Sequence, residues 1–522
     1  MLAQDMIRHN AKIRPDRVAV TYAGGEITYR ELLLRTNCAA NALRGLGVKK
    51  GERVAVLAQN CHEYVELYFA AGKAGAVTTP LNYRLTGSEI EHIVNDSEAT
   101  VVIAQDSFAP VIESIREKLP RVKELVCIGQ KRDGWRDYEA WTAAASGDEP
   151  PEVATENDLI WQMYTSGTTG RPKGAMITHR NLLTNVLQFS MAFGDLKDED
   201  RTLIVAPLYH AAAVVVSMCT IARGARLVVK QDFNPPEVVA SFDKEGVTHA
   251  LLVPAMILFL LNMPDIDKVN FGSLRCVFYG ASAIPLEVLK KAMATFDCQF
   301  LQAFGQTESV ALLTQLSADD HVKAAASDDP RVQRRLLSCG REVFGTEVRI
   351  VDEQGKEVAR GEVGEIAARG DQVMKGYWKL PEATSTTLKD GWLHTGDLGT
   401  MDEDGYVYVV DRLKDMIVSG GENVFPREIE DVLFQHPAIA DATVIGVPSD
   451  QWGEEAKAVV VLKPGQSATA EAILGYCKGK LAGFKRPRSV DFVAALPKNP
   501  SGKVLKRELR EPYWAGRGRR VS

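Results

Sequence analysis

Tyr164-Thr165-Ser166-Gly167-Thr168-Thr169-Gly170-Arg171-Pro172-Lys173-Gly174 is the stretch on which the reading of this 522-residue chain turns. Before it, residues 158–164 (DLIWQMY) read as a short buried strand. After it, residues 175–179 lead into a helix-like run at 181–189. Between these apolar flanks stand three glycines, four Ser/Thr hydroxyls, one arginine and one lysine. Glycine lets backbone N–H groups turn inward and approach an anion closely, and hydroxyls and a lysine add donors to phosphate oxygens. A plain surface linker does not concentrate phosphate donors between apolar segments in this way. Nor is the stretch a Walker A loop, because Lys173 is followed by Gly174 and no glycine pair has the G-x-x-x-x-G-K spacing.

Outward from this loop the chain reads as α/β. Residues 1 to about 150 alternate strand and helix signals. Thr28 and Glu31 have capping-box spacing and open a helix at 29–46. Strands are expected at 53–57, 75–80 and 100–104, and helices at 63–73 and 88–95. Such alternation argues for a largely parallel sheet. Further strands are expected at 201–208, 224–230, 275–278 and 300–303, with helices at 256–261 and 286–296. Several of the loops that follow these strands carry polar residues, at the end of the sheet where open α/β folds bind ligands. From about residue 343 the pattern changes to short alternating strands at 347–352, 365–369 and 406–411, a smaller β-rich subdomain. Beyond it, a helix at 428–435, strands at 442–447 and 456–462 and a helix at 470–481 describe a small α+β domain. No internal repeat is found.

Composition sets the bounds. Hydrophobic residues at 45% and charged residues at 25% describe a globular enzyme, and 522 residues call for two or three domains. A net charge of −6 argues against a general nucleic-acid binder. The eight cysteines include no C-x-x-C pair, which disfavours zinc and redox motifs and favours a reduced cytosol. The N-terminal residues lack the apolar core of a signal peptide. Residues 203–222 are almost wholly apolar and long enough to raise the question of a membrane span. Pro207 and His210 in the first half favour a strand, a turn and a buried helix instead.

The stretch YTSGTTGRPKG resembles the signature loop of the adenylate-forming superfamily, which includes acyl-CoA synthetases, aryl-CoA ligases, firefly-type luciferases and peptide-synthetase adenylation domains. Later motifs follow in the family's order over nearly the whole chain: GAS at 280–282, AFGQTES at 303–309, HTGDLG at 394–399, DRLKD at 411–415 and PKNPSGK at 497–503. The resemblance implies a large α/β domain with a β-rich subdomain at 1–412 and a small mobile α+β domain at 413–522. It assigns phosphate and nucleotide contacts to Thr165, Ser166, Gly167, Thr168, Thr169, Gly170 and Lys173. Gly280, Ala281 and Ser282 would flank the adenine and the substrate carboxylate. Phe304, beside Gly305, would stack on adenine. Thr307 would touch the α-phosphate, and Glu308 would hold Mg²⁺. Asp397 would accept both ribose hydroxyls, with Arg412 on the ribose or phosphate. Lys503 would promote adenylation, Lys414 would be the hinge, His210 a gate beside the acyl pocket, and Gly420 and Gly421 neighbours of the pantetheine tunnel.

The activity so implied is an acid–thiol ligase. ATP and a carboxylic acid give an acyl-adenylate and pyrophosphate, and CoA then takes the acyl group. Amino acids are disfavoured as substrates, because Tyr209-His210-Ala211 stands where adenylation domains place an Asp for the α-ammonium. Expected pocket residues Ala211, Ala212, Ala213, Val214, Val253, Met256, Ser282, Ala303 and Val310 are mostly small and apolar, with no Arg or Lys for a second carboxylate. A hydrophobic monocarboxylic acid, fatty or aryl, fits. The expected cofactors and partners are ATP, Mg²⁺, CoA and the acid, with no nucleic acid and no integral membrane segment, in a cytoplasmic setting. A homodimer stays open. The alternatives are a non-CoA acceptor, or a silent AMP- or acyl-binding protein of the same fold.

Overall fold

The computed structural model describes residues 1–165, 172–193, 196–498 and 504–515. Contacts divide the chain into two units. The first is Met1–Leu336 with Gly340–Glu347 and Ala368–Leu393. The second is Leu337–Cys339 with Val348–Ala367 and His394–Ser522.

Two sheets organise the first unit. One has nine strands among the described residues. Its central members Cys276–Gly280, Gln299–Phe304, His249–Leu252, Arg201–Ile204, Arg226–Val229 and Val18–Tyr22 are mutually parallel along the sheet. Successive residues of these strands enter different cores. Phe278 and Leu301 join one apolar cluster, and Val277 and Phe300 join the other. That is the period-two signature of a sheet covered on both faces, and it explains why these strands read as short, nearly continuous apolar runs. The second sheet has eight strands, with Arg53–Leu57 between Val77–Pro80 and Val101–Gln105, all parallel. At its other end Leu159–Thr165 pairs antiparallel with Lys173–Thr178, which pairs antiparallel with Gly376–Tyr377.

Local chemistry sets the helix ends. The Thr28 hydroxyl accepts from the Glu31 amide at 3.2 Å and the Thr28 amide donates to Glu31 Oε2 at 2.7 Å, opening the helix Tyr29–Gly45 as its spacing requires. The apolar stretch at 203–222 divides as expected. The strand ends at Ile204 and the buried helix Ala211–Ala222 follows. No helix among the described residues is long and apolar enough to cross a membrane.

Several local expectations change in their bounds, and three are instructive. The strand expected at 201–208 stops at Ile204, since Pro207 cannot donate to a ladder. The helix expected at 470–481 ends at Cys477. Residues 173–178, read as the end of the signature loop (173–174) and an approach to a helix (175–179), are a full strand. Lys173 and Gly174 open that strand because they pair with Thr165 and Tyr164 across the antiparallel ladder.

The strands Trp392–Met401 and Val407–Arg412 pair antiparallel, within a sheet that also takes Thr346–Val351 and Gly364–Gly370. A separate sheet runs in the order Glu422–Val424, Ile417–Ser419, Gly453–Leu462, Ile439–Ser449, with Ser489–Phe492 parallel to Gly453–Leu462. The helices Pro426–Leu433 and Ala470–Cys477 supply Ile429, Leu433, Ile473 and Cys477 to the core on this sheet.

Candidate active site

In the first unit the polar residues collect where parallel strands end. Gln299–Phe304 runs into Gly305 and then the helical turn Thr307–Ser309. Gly305 is dictated by space, because a Cβ there would lie 2.3 Å from the Ala311 carbonyl oxygen. The next strand end has the same constraint: a Cβ on Gly280 would lie 2.3 Å from the Ala303 carbonyl oxygen. Both ends also hold residues in unusual conformations. Ala281 has φ of 66° and Val310 has φ of 63°. A β-branched residue at positive φ is an outlier that surrounding structure must enforce. Here Val310 is buried, and the Ala311 amide closes the tight turn onto the Ser309 carbonyl at 2.8 Å.

Glu308 is buried at the centre of this turn. Its Oε1 accepts from the Tyr377 hydroxyl at 2.7 Å and from the Thr165 hydroxyl at 3.3 Å. Among the described residues its Oε2 takes no hydrogen bond. Lys173 Nζ stands 4.4 Å from the Tyr377 ring centroid. Thr165, Lys173 and Glu308, which the sequence singled out from two distant motifs, thus share one Tyr377 side chain or its partner. Tyr377 itself was not singled out. Burial first, and the Glu308 carboxylate second, push its pKa up and keep it a donor. Its only sequence signal is the Gly376-Tyr377 pair, and it reaches the site because Tyr377 pairs with Ala175 beside the signature strand. A buried carboxylate with one oxygen held and the other open suits a hard cation that keeps most of its other ligands as water and phosphate. Residues 166–170, named for phosphate contact, lie outside the described residues.

His210 is the N-cap of the buried helix Ala211–Ala222. Burial, with a smaller contribution from Arg84, pushes its imidazole down to about 4, so it is neutral at pH 7. Its Nε2 is buried and has no partner among the described residues. Ala211, Ala213, Val214 and Val310 lie in one apolar core, with Ala303 packed against it. Met256 instead packs against the core on the other face of the nine-stranded sheet, and Val253 is the N-cap of its helix. Ser282 is exposed, and Phe304 is half-buried at its strand end.

In the second unit Asp397 and Arg412 face each other across the antiparallel pair, with Arg412 Nε 3.3 Å from Asp397 Oδ1. The loop before Asp397 is braced. The Asp397 amide donates to the Thr395 hydroxyl at 3.1 Å, and Thr395 donates to the Ile366 carbonyl at 2.7 Å. Glu365, which the sequence did not flag, accepts from the Gly396 amide at 2.9 Å and pairs with His394 Nδ1 at 2.7 Å. Asp397 is buried while Arg412 is substantially exposed, so the carboxylate is fixed and the guanidinium is accessible.

Lys414 sits in the helical turn Leu413–Asp415, where burial pulls its ammonium down against the favourable pull of Asp415. Gly420 and Gly421 form the two-residue turn between Ile417–Ser419 and Glu422–Val424, with φ of 61° and 87°. Positive φ at both positions is what a tight hairpin demands. Lys503 lies outside the described residues.

Comparison with known proteins places this geometry. A family described as AMP-binding enzyme matches residues 7–378, and the AMP-binding enzyme C-terminal domain matches residues 428–503. A feruloyl-CoA synthase of Amycolatopsis sp is 39% identical over 96% of this chain and 97% of its own. A long-chain-fatty-acid–CoA ligase of Mycobacterium tuberculosis is 35% identical over 98% of each chain. Among solved structures, an anthranilate CoA ligase in complex with anthranoyl-AMP superposes with a TM-score of 0.89 at 29% identity, over 98% of this chain and 97% of that one.

Proposed function

The chain belongs to the AMP-binding enzyme family and is an AMP-forming acyl-CoA synthetase, and from that premise we propose that it activates a hydrophobic monocarboxylic acid, fatty or aryl, through the residues just described. The observation that carries this reading is the convergence on Glu308 of Thr165 from the signature strand and Tyr377 beside it.

In the first half-reaction a carboxylate oxygen of the acid attacks the α-phosphorus of ATP and pyrophosphate leaves. Negative charge crowds at the transition state, so catalysis is chiefly positioning and electrostatic stabilisation. Mg²⁺ at Glu308 supplies positive charge to the phosphates when bound. Tyr377 and Thr165 orient the carboxylate for it. Thr307 and Lys173 contact phosphate oxygens. Asp397 accepts the ribose hydroxyls, Arg412 stands beside them, and Lys503 stabilises the charge that develops. In the second half-reaction the CoA thiolate attacks the acyl carbonyl and AMP leaves, with no covalent link to the protein.

The neutral His210 lets the acyl side stay apolar while offering one nitrogen to the reacting carboxyl. The small side chains Ala211, Ala213, Val214 and Ala303 favour a bulky hydrophobic body, and no cation among the pocket residues would hold a second carboxylate. Residues 1–412 serve ATP and the acid. Residues 413–522 move about Lys414, with Gly420 and Gly421 near the pantetheine path.

The test is pyrophosphate and AMP release over a panel holding ferulate, anthranilate, octanoate, palmitate, acetate and malonate, with and without CoA. CoA-dependent turnover that peaks on a hydrophobic acid is expected. Preference for malonate or acetate would refute the pocket assignment, and pyrophosphate release indifferent to CoA would refute CoA as the acceptor.

A further inference from the structure

The second unit holds a buried cluster of charge that the reaction scheme above does not use. Lys506 opens the helix Lys506–Trp514, and its side chain is only 15% exposed. Its Nζ lies 2.8 Å from Glu430 Oε1, on the helix Pro426–Leu433. The same Glu430 oxygen accepts from the Thr443 hydroxyl and the Val444 amide, each at 2.8 Å, so Glu430 is anchored to the sheet. Asp411 and Asp415 also act on the ammonium. Burial pulls Lys506 down, and Glu430, Asp411 and Asp415 together more than offset that pull and keep it charged. Asp411 is itself fixed, accepting from the Arg412 amide at 2.7 Å and the Arg427 amide at 2.9 Å. Arg510, one turn further along the helix, stands 3.6 Å from Asp415.

Two features make this more than a core ion pair. Asp411 precedes Lys414 in the chain and Glu430 follows it, so the ammonium that pairs with Glu430 on one side of that residue is also favoured by a carboxylate on the other. And Lys506 follows directly on a closed chain reversal: the Leu505 amide donates to the Pro497 carbonyl at 2.8 Å, and Lys498 and Val504 pair as an antiparallel bridge. The residues between Lys498 and Val504 include Lys503. The frame that carries Lys503 is therefore fastened on its C-terminal side by Lys506. On its N-terminal side Lys498 Nζ meets Asp441 at 2.6 Å, at a more exposed site where an ion pair contributes less.

We propose that Lys506 is a positioning residue for adenylation: by pairing with Glu430, which is itself anchored to the sheet, it fixes the frame from which Lys503 acts. The proposal rests on the reading of Lys503 as the lysine that promotes the first half-reaction. A neutral side chain of similar length would leave Glu430 and Asp411 as neighbouring buried carboxylates without a counter-charge, and the helix start would move away from them. Displacing a catalytic group by about 1 Å costs on the order of 10²-fold in rate. Acyl transfer to CoA from a preformed adenylate does not call on Lys503 and is untouched.

The experiment compares Lys506→Met, Lys506→Arg and Glu430→Gln in the full chain, using the best acid of the panel. Three quantities are read: single-turnover pyrophosphate release, thioester formation from supplied acyl-adenylate, and amide hydrogen exchange over residues 497–509. Lys506→Met is expected to slow pyrophosphate release by about 10–100-fold, to leave thioester formation unchanged and to speed exchange at the Leu505 amide. Lys506→Arg is expected to restore most of the loss. Glu430→Gln should shift the first step in the same direction, and the Lys506→Met/Glu430→Gln pair should be less than additive. Equal loss of both half-reactions, no change in either, or no rescue by Arg overturns the proposal. If Lys506→Met does not fold, the Glu430→Gln comparison decides it by the same split. A wild-type protein that adenylates no acid of the panel refutes the ligase reading itself, and unchanged exchange at Leu505 then also refutes the pinning role.

Discussion

Replacing Tyr377 with Phe removes one oxygen and leaves the rest of the site in place. The ring stays in its core and remains under Lys173, since that contact is to the ring face. What is lost is the 2.7 Å hydrogen bond to Glu308 Oε1. The Thr165 hydroxyl remains, but at 3.3 Å it is the longer and weaker of the two bonds. A hydrogen bond to a charged partner contributes about 1.5–3 kcal/mol. If all of it serves to hold Glu308 for the metal, adenylation falls roughly 10–100-fold, since each ~1.4 kcal/mol is tenfold. The assay is initial-rate pyrophosphate release as a function of total Mg²⁺ at fixed ATP. The half-saturating Mg²⁺ concentration should rise, while thioester formation from supplied acyl-adenylate stays as in the wild type. A variant whose Mg²⁺ curve superposes on the wild type would show that Tyr377 does not orient a metal-holding carboxylate. A loss seen equally in both half-reactions, with a lowered unfolding midpoint, would assign Tyr377 to the core alone.

Further outcomes follow from the same geometry. Lys503→Ala is expected to lower adenylation by about 10²–10³, the range for removing one electrostatic stabiliser, while sparing acyl transfer from supplied adenylate; equal loss in both steps would refute a lysine that serves one step. Gly305→Ala drives a Cβ against the Ala311 carbonyl, a backbone atom that cannot swing aside. It should destabilise the protein by about 1–3 kcal/mol and weaken ATP use, and an unchanged urea midpoint would refute the close approach. Buried His179, His210 and His321 each have folded pKa values near 4, below the ordinary 6.5. The unfolded chain therefore takes up protons that the folded chain refuses, so their stabilising contribution is complete above about pH 6.5 and is lost as pH falls toward 4, at about 3 kcal/mol per histidine. Denaturant midpoints between pH 7 and 5 should fall, and His321→Gln should flatten the fall; a flat profile in the wild type would refute the neutral assignments.

The fold was legible wherever one periodicity dominated. Leu286–Phe296 and Arg53–Leu57 appear with the bounds their patterns give, because an amphipathic helix and a fully buried strand leave no competing local choice. The strand Lys173–Thr178 was not legible for a physical reason. Its first residues, Lys173 and Gly174, belong by composition to the preceding loop, and they are extended because they pair with Thr165 and Tyr164, while Gly376–Tyr377 pairs with the residues that follow. Local propensity is a weak prior beside such non-local pairing.

The site divides along the same line. Glu308, Asp397 and Lys173 sit in dense motifs, so their residue types and order identify them before any coordinates. Tyr377 and Glu365 do not, because each acts on a motif residue from a strand far away in sequence. Tyr377 reaches Glu308 across 69 residues, and Glu365 reaches Gly396 across 31. Neither can be recognised by what it is, only by what it holds. The same holds for Lys506, which in sequence is one more base in a basic tail and in the fold is a buried charge paired with Glu430. A motif therefore names the groups proposed to meet the substrate, while the groups proposed to aim them come from pairing and burial. For that reason Tyr377 and Lys506 are the positions where mutation is expected to separate the two half-reactions from mere stability.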